Sequence, residues 1–342
     1  MATSSQTTLS PRFPHVAARA GHYESIYLTA SDPVEPVAVW IRYTVHQPPG
    51  GVATGSIWFT LFEPGGPTAV KITGDAPSTD EPTVDGARLI VMGEHGAVRR
   101  DGAYGEISGH GVSASWKLQF EPTDAELRHL PYPWMYRSPV PRTKSTSPYP
   151  SMLVRGTVTL AGRTLSLDGW PGMLGHNWGA EHAHRWIWLR GASFTEHPDA
   201  WLDVVIGRIK LGPVLLPWIA NGVFAPDGAA GVRHRIGGMG NRATVRERSD
   251  GCDLVLPGHG VSVSARVSAP IAASVGWQYA DPTGGRHQVR NCSVAGLALS
   301  VWHRKRAGGD SRQHLVTPHG GVYELGRIDF DPAVVMQPYS DG

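Results

Sequence analysis

Short strand-like segments recur along most of this 342-residue chain, whereas helical periodicity is scarce. The pattern predicts a hairpin in which residues 37–45 and 55–62 are paired strands joined by a turn at Gly50 and Gly51. Later strand candidates follow at intervals of about 8–12 residues, a spacing typical of an all-β sandwich or barrel. The 42 glycines and 28 prolines agree with many tight turns. The best helical candidate, residues 122–130, is short.

The composition excludes several classes of protein. Hydrophobic residues make up 41% of the chain and charged residues 18%, which argues against disorder. The formal net charge is +2 and no basic stripe is interleaved with aromatic residues, so we expect no nucleic-acid partner. The two cysteines, Cys252 and Cys292, provide neither a disulfide framework nor a zinc-binding spacing.

We expect no targeting or membrane-spanning segment. Residues 1–14 are rich in Ser and Thr and lack the apolar stretch of a signal peptide. The most apolar stretch, residues 211–224, is interrupted by Pro213 and Pro217 and is too short to span a bilayer. These features predict a cytoplasmic protein with at most transient membrane contact. The oligomeric state is left open between a monomer and a homodimer.

A change of composition near the middle of the chain divides it into two halves, which share a pattern of tryptophan-bearing strands. Residues 131–150 are rich in proline and aromatic side chains, so we expect an irregular segment that packs onto the rest of the protein. Each half also has neighbouring strands that carry tryptophans, a pattern that suggests a duplication. We predict two β domains, over residues 15–180 and 181–342.

Residues 169–188 are unusually dense in histidine and tryptophan. Glycines flank the central His176-Asn177-Trp178, which indicates a tight or unusual backbone at that point. If the segment from residue 182 onward is extended, alternate side chains share one face of a strand. These side chains are His182, His184, Trp186 and Trp188.

A carboxylate stands in the apolar strand that follows. Trp201 and Asp203 lie on the same face of this strand, opposite Leu202. Burying Asp203 is unfavourable unless its carboxyl group is hydrogen-bonded, paired with a cation or protonated. A buried Asp whose pKa is raised can donate a proton, so Asp203 is the candidate general acid.

These motifs resemble those of the hydroxyneurosporene synthase family (carotenoid 1,2-hydratase, CrtC) and its AttH-like relatives. The segments that carry the resemblance are Gly175–Gly179 with Trp186-x-Trp188, His22–Tyr27, Trp40–Thr44, Trp58–Phe62, Val289–Ser293 and Gly320–Gly326. The resemblance covers most of the chain and implies an all-β fold of two tandem lipocalin-like (calycin-type) β-barrel domains. It also implies acid-catalysed, cofactor-free addition of water to a terminal isoprenoid C=C bond. The motifs His176-x-Trp178 and Trp201-x-Asp203 match the family's pattern.

The chemistry and the resemblance together define a candidate site. The catalytic residues are Asp203 as the acid and His176, which holds the proton of Asp203 or orients the water. Tryptophan faces can stabilise a carbocation through their ring quadrupole. The residues that we assign to substrate binding are Trp178, Trp201, Trp186, Trp188 and Asn177.

Three functions stay open at this point. The first is a hydratase, a hydro-lyase acting on an apolar isoprenoid or polyene. The second is a secondary-metabolite cyclase or pericyclase that uses the same pocket, and the third is a non-catalytic carrier of a lipophilic ligand. In all three the partner is a small lipophilic molecule. His176, His182 and His184 offer three imidazoles but no visible supporting residues, so we expect no metal and no cofactor.

Overall fold

The computed structural model describes residues 9–79, 90–303 and 311–339. Within these ranges the protein consists of two large antiparallel β-sheets and one small two-stranded sheet. The fold prediction is confirmed: the two curled sheets form two tandem lipocalin-like barrels. The helical elements in the same ranges are four short 3-10 helices, at Ala18–Ala20, Pro133–Tyr136, Gly228–Ala230 and Ile271–Ala273.

The first sheet has 12 strands. They are β1 (His22–Ser31), β2 (Ala38–Gln47), β3 (Thr54–Phe62), β4 (Thr68–Asp75), β5 (Ser78–Thr79), β6 (Ile90–Val91), β7 (Gly96–Val98), β8 (Gly102–Gly109), β9 (Val112–Pro122), β10 (Leu127–Arg128), β11 (Thr143–Leu160) and β12 (Arg163–Gly179). The order across the sheet is β4-β3-β2-β1-β12-β11-β9-β8-β7-β6-β5, and β10 pairs with β11. The first and last strands of this half are therefore neighbours.

The second sheet has 10 strands and begins after residue 179. They are β13 (Arg185–Gly191), β14 (Trp201–Arg208), β17 (Ile219–Ala225), β18 (His234–Arg242), β19 (Thr244–Arg248), β20 (Gly251–Pro257), β21 (Val261–Ser268), β22 (Val275–Ala280), β23 (Arg286–His303) and β24 (Ser311–Arg327). Their order is β18-β17-β14-β13-β24-β23-β21-β20-β19, and β22 pairs with β23. The small sheet is a hairpin of β15 (Lys210–Leu211) and β16 (Val214–Leu215).

The two halves repeat one topology. In each half the first strand pairs with both the second and the last strand, as β1 does with β2 and β12, and β13 with β14 and β24. Each half also ends in a long hairpin whose strands have 18 and 17 residues, β11–β12 in the first and β23–β24 in the second. Both hairpins carry register shifts, which bend long strands.

The alternation of side chains along each strand separates the barrel cores from the junction between the halves. On β2, Val39 and Ile41 point into the core of the first barrel, whereas Trp40 points the other way. On β13, Ile187 belongs to the core of the second barrel, whereas Trp186 faces the first half. Tryptophans from both halves therefore pack together at the junction.

Of two local predictions from the sequence, the structure confirms one and contradicts the other. The hairpin predicted over 37–45 and 55–62 is confirmed as β2 and β3. The helix predicted over 122–130 is wrong, because that segment is extended and contributes β10. Among the described residues, no helix has the length and apolar character needed to cross a membrane.

Candidate active site between the two barrels

A cavity of about 280 Å³ lies where the two sheets meet. Trp40 and Arg42 of β2 line it from the first half, and Trp186 and Trp188 of β13 line it from the second. Residues of the proline-rich segment between β10 and β11 complete the wall, namely Leu130, Pro131, Met135 and Pro141. The lining is largely apolar, with a few polar groups that include two histidines, His129 and His182.

Asp203 lies behind this wall and is fully buried. Its Oδ2 accepts a hydrogen bond from the Ser147 hydroxyl at 2.5 Å, and its Oδ1 accepts one from the Trp188 indole N–H at 3.0 Å. The Nε2 of His129 lies 3.3 Å from Oδ1, an ion-pair contact without hydrogen-bond alignment. Asp203 therefore meets the cavity through His129 and Trp188, both of which line it.

The partners of Asp203 determine its ionisation. Burial by itself raises the pKa of this carboxyl group, but the charge of His129 and the donors of Ser147 and Trp188 outweigh burial, and the pKa is lowered. Of the three states that the sequence left open for Asp203, these contacts correspond to a hydrogen-bonded carboxylate paired with a histidine. At neutral pH Asp203 is a carboxylate that supports His129, not a neutral acid.

A second histidine–carboxylate pair faces the same cavity. The Nδ1–H and the backbone N–H of His182 both donate to Oδ1 of Asp281, each at 2.7 Å. The Nε2 of His287 lies 3.0 Å from Oδ2 of Asp281, so one carboxylate bridges two imidazoles. The ring of His182 also stacks on Tyr23, with 4.0 Å between centroids. These contacts fix the ring's position.

The electrostatics of this pair define a base. Burial is the main cause that lowers the pKa of His182, against the raising effect of Asp281. The pKa of Asp281 is also lowered: burial raises it, but hydrogen bonds from His182 and His287 prevail. His182 is thus neutral at pH 7 with its proton on Nδ1, facing the carboxylate. Its Nε2 is buried and has no hydrogen-bond partner among the described residues, so it can accept a proton.

The structure places His176 in a different hydrogen-bonded group from Asp203. Its Nε2 lies 2.7 Å from Oε1 of Glu24, a buried carboxylate that also accepts the backbone N–H groups of Arg12 and Phe13. Strand β12 turns His176 and Asn177 to opposite faces, and Asn177 is the one that lines the cavity. His176 therefore holds β1 and the chain preceding it to β12.

The other sequence-assigned residues divide in the same way. Trp186, Trp188 and Asn177 line the cavity. Trp178 packs on His176 at 4.6 Å between ring centroids, outside the cavity lining. Trp201 also lies outside it: its indole N–H donates to Asp124 at 3.0 Å. The strand period explains the position of Trp178, since this residue shares the face of His176.

The three imidazoles considered for a metal are not gathered. Instead, His182, Asp281 and His287 have ligand atoms that all lie within 4.8 Å of one another, and these are the described residues that could hold an ion. Their distances of 2.7 and 3.0 Å are those of direct hydrogen bonds. In this structure the three side chains form a hydrogen-bonded His–Asp–His chain.

Among the cavity and support residues that were missed from the sequence are five polar side chains. They are His129, Arg42, Asp281, His287 and Glu324. Arg42 carried a usable signal, because the predicted strand puts it on the same face as Trp40. His129 carried none, because its segment was assigned to a helix and its approach to Asp203 depends on long-range pairing of β10 with β11.

The buried carboxylates predict how stability depends on pH. The pKa of Glu24 is lowered from its ordinary value of 4.5: burial raises it, but His176 and His22 lower it more. The unfolded chain therefore binds a proton that the folded chain resists, and the free energy of unfolding falls as pH falls below about 5. Urea unfolding from pH 7 to 3.5 measures this dependence. Below pH 4.5, Glu24→Gln should reduce the slope of the free energy of unfolding against pH by up to about 1.4 kcal/mol per pH unit.

The control for this measurement is Glu121→Gln, since Glu121 is an exposed acid on β9. This control should keep the wild-type slope. A slope that is unchanged in Glu24→Gln would contradict the assigned charge state of the buried group.

The fold and the cavity define a class, a tandem lipocalin-like protein with a largely apolar cavity between its barrels that two histidine–carboxylate pairs adjoin. No protein-family profile matches the chain. It is 25% identical over 299 residues to the uncharacterized proteins MT0513 and Rv0493c of two Mycobacterium tuberculosis strains, covering 87% of this chain and 86% of each relative.

Comparison with solved structures gives one match that supports the fold. A structure described as a "putative AttH (NE1406)" from Nitrosomonas europaea superposes with a TM-score of 0.53 at 12% identity, over 95% of this chain and 98% of that one. Kievitone hydratase from Nectria haematococca superposes with a TM-score of 0.49 at 10% identity, over 90% and 89%. The AttH comparison establishes the fold over nearly the whole chain. At this identity neither structure informs on the reaction.

Proposed function

We propose that this protein is a hydratase that adds water to a C=C bond of a largely apolar small molecule, using its own side chains as acid and base. The observation that carries the proposal is that two imidazoles, each supported by a buried carboxylate, line one apolar cavity. Two such pairs can accept one proton and deliver another, as water addition needs, whereas a carrier moves no protons.

His182 is the base in this proposal. Its Nε2 is a free acceptor on a neutral ring whose opposite nitrogen is held by Asp281. A base positioned in this way can remove a proton from water as the oxygen attacks carbon. Asp281 and His287 are positioning residues, because they act through the ring of His182.

His129 is the acid. An ionised carboxylate next to an imidazole stabilises the protonated ring that forms or is consumed in a proton transfer. Asp203 supplies that carboxylate from behind the cavity wall, as a positioning residue. Asp203, which the sequence indicated as the general acid, thus takes part in the reaction by supporting His129.

The apolar wall suits the remaining part of the substrate. Trp40, Trp186 and Trp188 present aromatic surface to the cavity and exclude water from the reacting atoms. The volume of about 280 Å³ is near the low end of ligand sites, about 300–1,000 Å³. An isoprenoid or polyene would place only one end in the site.

A mass comparison tests this function. The wild type, His129→Gln and His182→Gln are each incubated with a lipid extract that contains isoprenoids and polyenes, and all apolar species are followed by liquid chromatography and mass spectrometry. A species that gains the mass of one water with the wild type alone supports a hydratase. A change of retention at constant mass indicates a cyclase or isomerase, and an unchanged lipid retained by all three proteins indicates a carrier.

A further inference from the structure

Arg42 is a cation in the cavity wall with hydrogen-bonding capacity to spare. The side chain is 4% exposed and lines the cavity. Its Nε–H donates to the Ser25 hydroxyl at 2.7 Å, and its guanidinium lies 3.8 Å from the centre of the Tyr279 ring. Its Nη1 is buried and has no hydrogen-bond partner within the described ranges. Buried donors are nearly always paired, so an unpaired one in a ligand cavity points to a ligand.

The other charged groups of the cavity are already engaged. Lys144 donates from Nζ to the carbonyl oxygens of Ser138 and Pro141. Glu324 accepts hydrogen bonds from Trp186, Tyr279 and Asn291 at 3.1–3.2 Å. No carboxylate of the described residues lies within 4.0 Å of the Arg42 guanidinium, as an ion pair would require. Of the two lining cations, Arg42 is the one with a buried donor that has no hydrogen-bond partner among the described residues.

The acids at this site also limit the alkene that it can hydrate. The pKa of Asp203 is lowered, so the buried carboxyl group is ionised at neutral pH. The carboxyl group on the cavity wall, Glu324, already accepts three hydrogen bonds, from Trp186, Tyr279 and Asn291. The two lining histidines are weak acids, since the ordinary pKa of an imidazole is about 6.5. An isolated C=C bond requires a much stronger acid, because its protonation creates a carbocation. A C=C bond conjugated to a carbonyl group requires only a base for water and a cation for the enolate oxygen.

We propose that the substrate is an α,β-unsaturated carbonyl compound with an apolar tail, and that Arg42 binds its carbonyl oxygen. This inference rests on the hydratase function proposed above. The oxygen accepts a charge-assisted hydrogen bond from Nη1, which strengthens as negative charge develops on that oxygen. Arg42 is a catalytic residue in this scheme, since it touches the reacting group.

The reaction proceeds in two proton transfers. His182 Nε2 takes a proton from water as the water oxygen bonds to the β-carbon, and the π electrons of the C=C bond move onto the carbonyl oxygen beside Arg42. The enolate then collapses as the α-carbon takes a proton from the imidazolium of His129. His182 releases its proton to solvent and His129 regains one. The sum is the addition of one water molecule without any change of oxidation state in the protein.

Geranic acid and geraniol are the test ligands. Geranic acid has one C=C bond conjugated to its carboxylate and one isolated C=C bond, whereas geraniol has the same skeleton without the carbonyl group. Equilibrium dialysis measures the affinity of both ligands for wild type, Arg42→Met and Arg42→Lys. We expect Arg42→Met to weaken geranate binding about 10- to 100-fold and to leave geraniol binding within about twofold. Arg42→Lys should retain part of the preference, which separates loss of charge from damage to the fold.

Product analysis on the same ligands separates this inference from the hydratase function. Water added at C3 of geranate, lost in Arg42→Met, supports both. Water added at the isolated C7 position by wild type and Arg42→Met alike overturns the role of Arg42 and leaves the hydratase function standing. Equal weakening of both ligands, or of neither, in Arg42→Met also overturns it. Arg42-dependent preference for geranate without water addition to either bond supports the carbonyl site and counts against hydration.

Discussion

Substitution of His182 by Gln is expected to lower the turnover number for water addition about 10²–10⁴-fold, the usual contribution of general acid–base catalysis. The amide keeps the size and polarity of the side chain but has no nitrogen that accepts a proton. The Michaelis constant should change little, because the surrounding aromatic wall stays in place. Steady-state kinetics on the species that gains water in the mass comparison measures both values.

His184→Gln is the matched control for this substitution. His184 is two residues away on the same segment, is partly buried and does not line the cavity. Its replacement should leave the turnover number within about twofold of wild type. Similar losses in the two variants would mean that the segment before β13 has lost its structure, and a wild-type rate in His182→Gln would exclude His182 as the base.

The second large effect is expected at Asp203 and His129, which should behave as one unit. Asp203→Asn and His129→Gln are each expected to lower turnover about 10²–10⁴-fold. The effects of substituting residues that act together are strongly non-additive. The turnover number of the double variant should therefore be at most a few-fold lower than that of the slower single variant. Asp199→Asn provides an exposed control on the chain before β14 and should retain full activity.

Thermal unfolding of the same four proteins separates catalysis from stability. The carboxylate of Asp203 is fully buried, and Asn can still accept the indole N–H of Trp188 and meet the Ser147 hydroxyl. We therefore expect Asp203→Asn to fold. Losses that multiply in the double variant would show that Asp203 and His129 act independently, contrary to the assigned pair.

The barrels could be predicted from the sequence because their signals are local. Strands β2 and β3 follow from an apolar run, a Gly-Gly turn and a second apolar run. The same period-2 alternation correctly put Trp186 and Trp188 on one face, which is the face that lines the cavity.

The pairing of the site residues could not be predicted, because it arises between segments far apart in the chain. Asp203 meets His129 only after β10 pairs with β11 and the second half packs against the first. His182 meets Asp281 through the end of β22. The motif His176-x-Trp178 suggested a partner for Asp203, but the strand turns His176 toward Glu24. The sequence motif thus indicated the region of the site but did not identify the hydrogen-bond partners of its side chains.

The most direct measurement is incorporation of oxygen from isotopically labelled water. The wild-type protein is incubated with the apolar extract in buffer made from equal parts of ordinary and ¹⁸O-labelled water, beside the His129→Gln/His182→Gln double variant. We expect a product present as two equal peaks, heavier than its precursor by one molecule of each water, and absent with the double variant. Products that carry no label, or labelled products formed equally by the double variant, would contradict water addition by these two histidines.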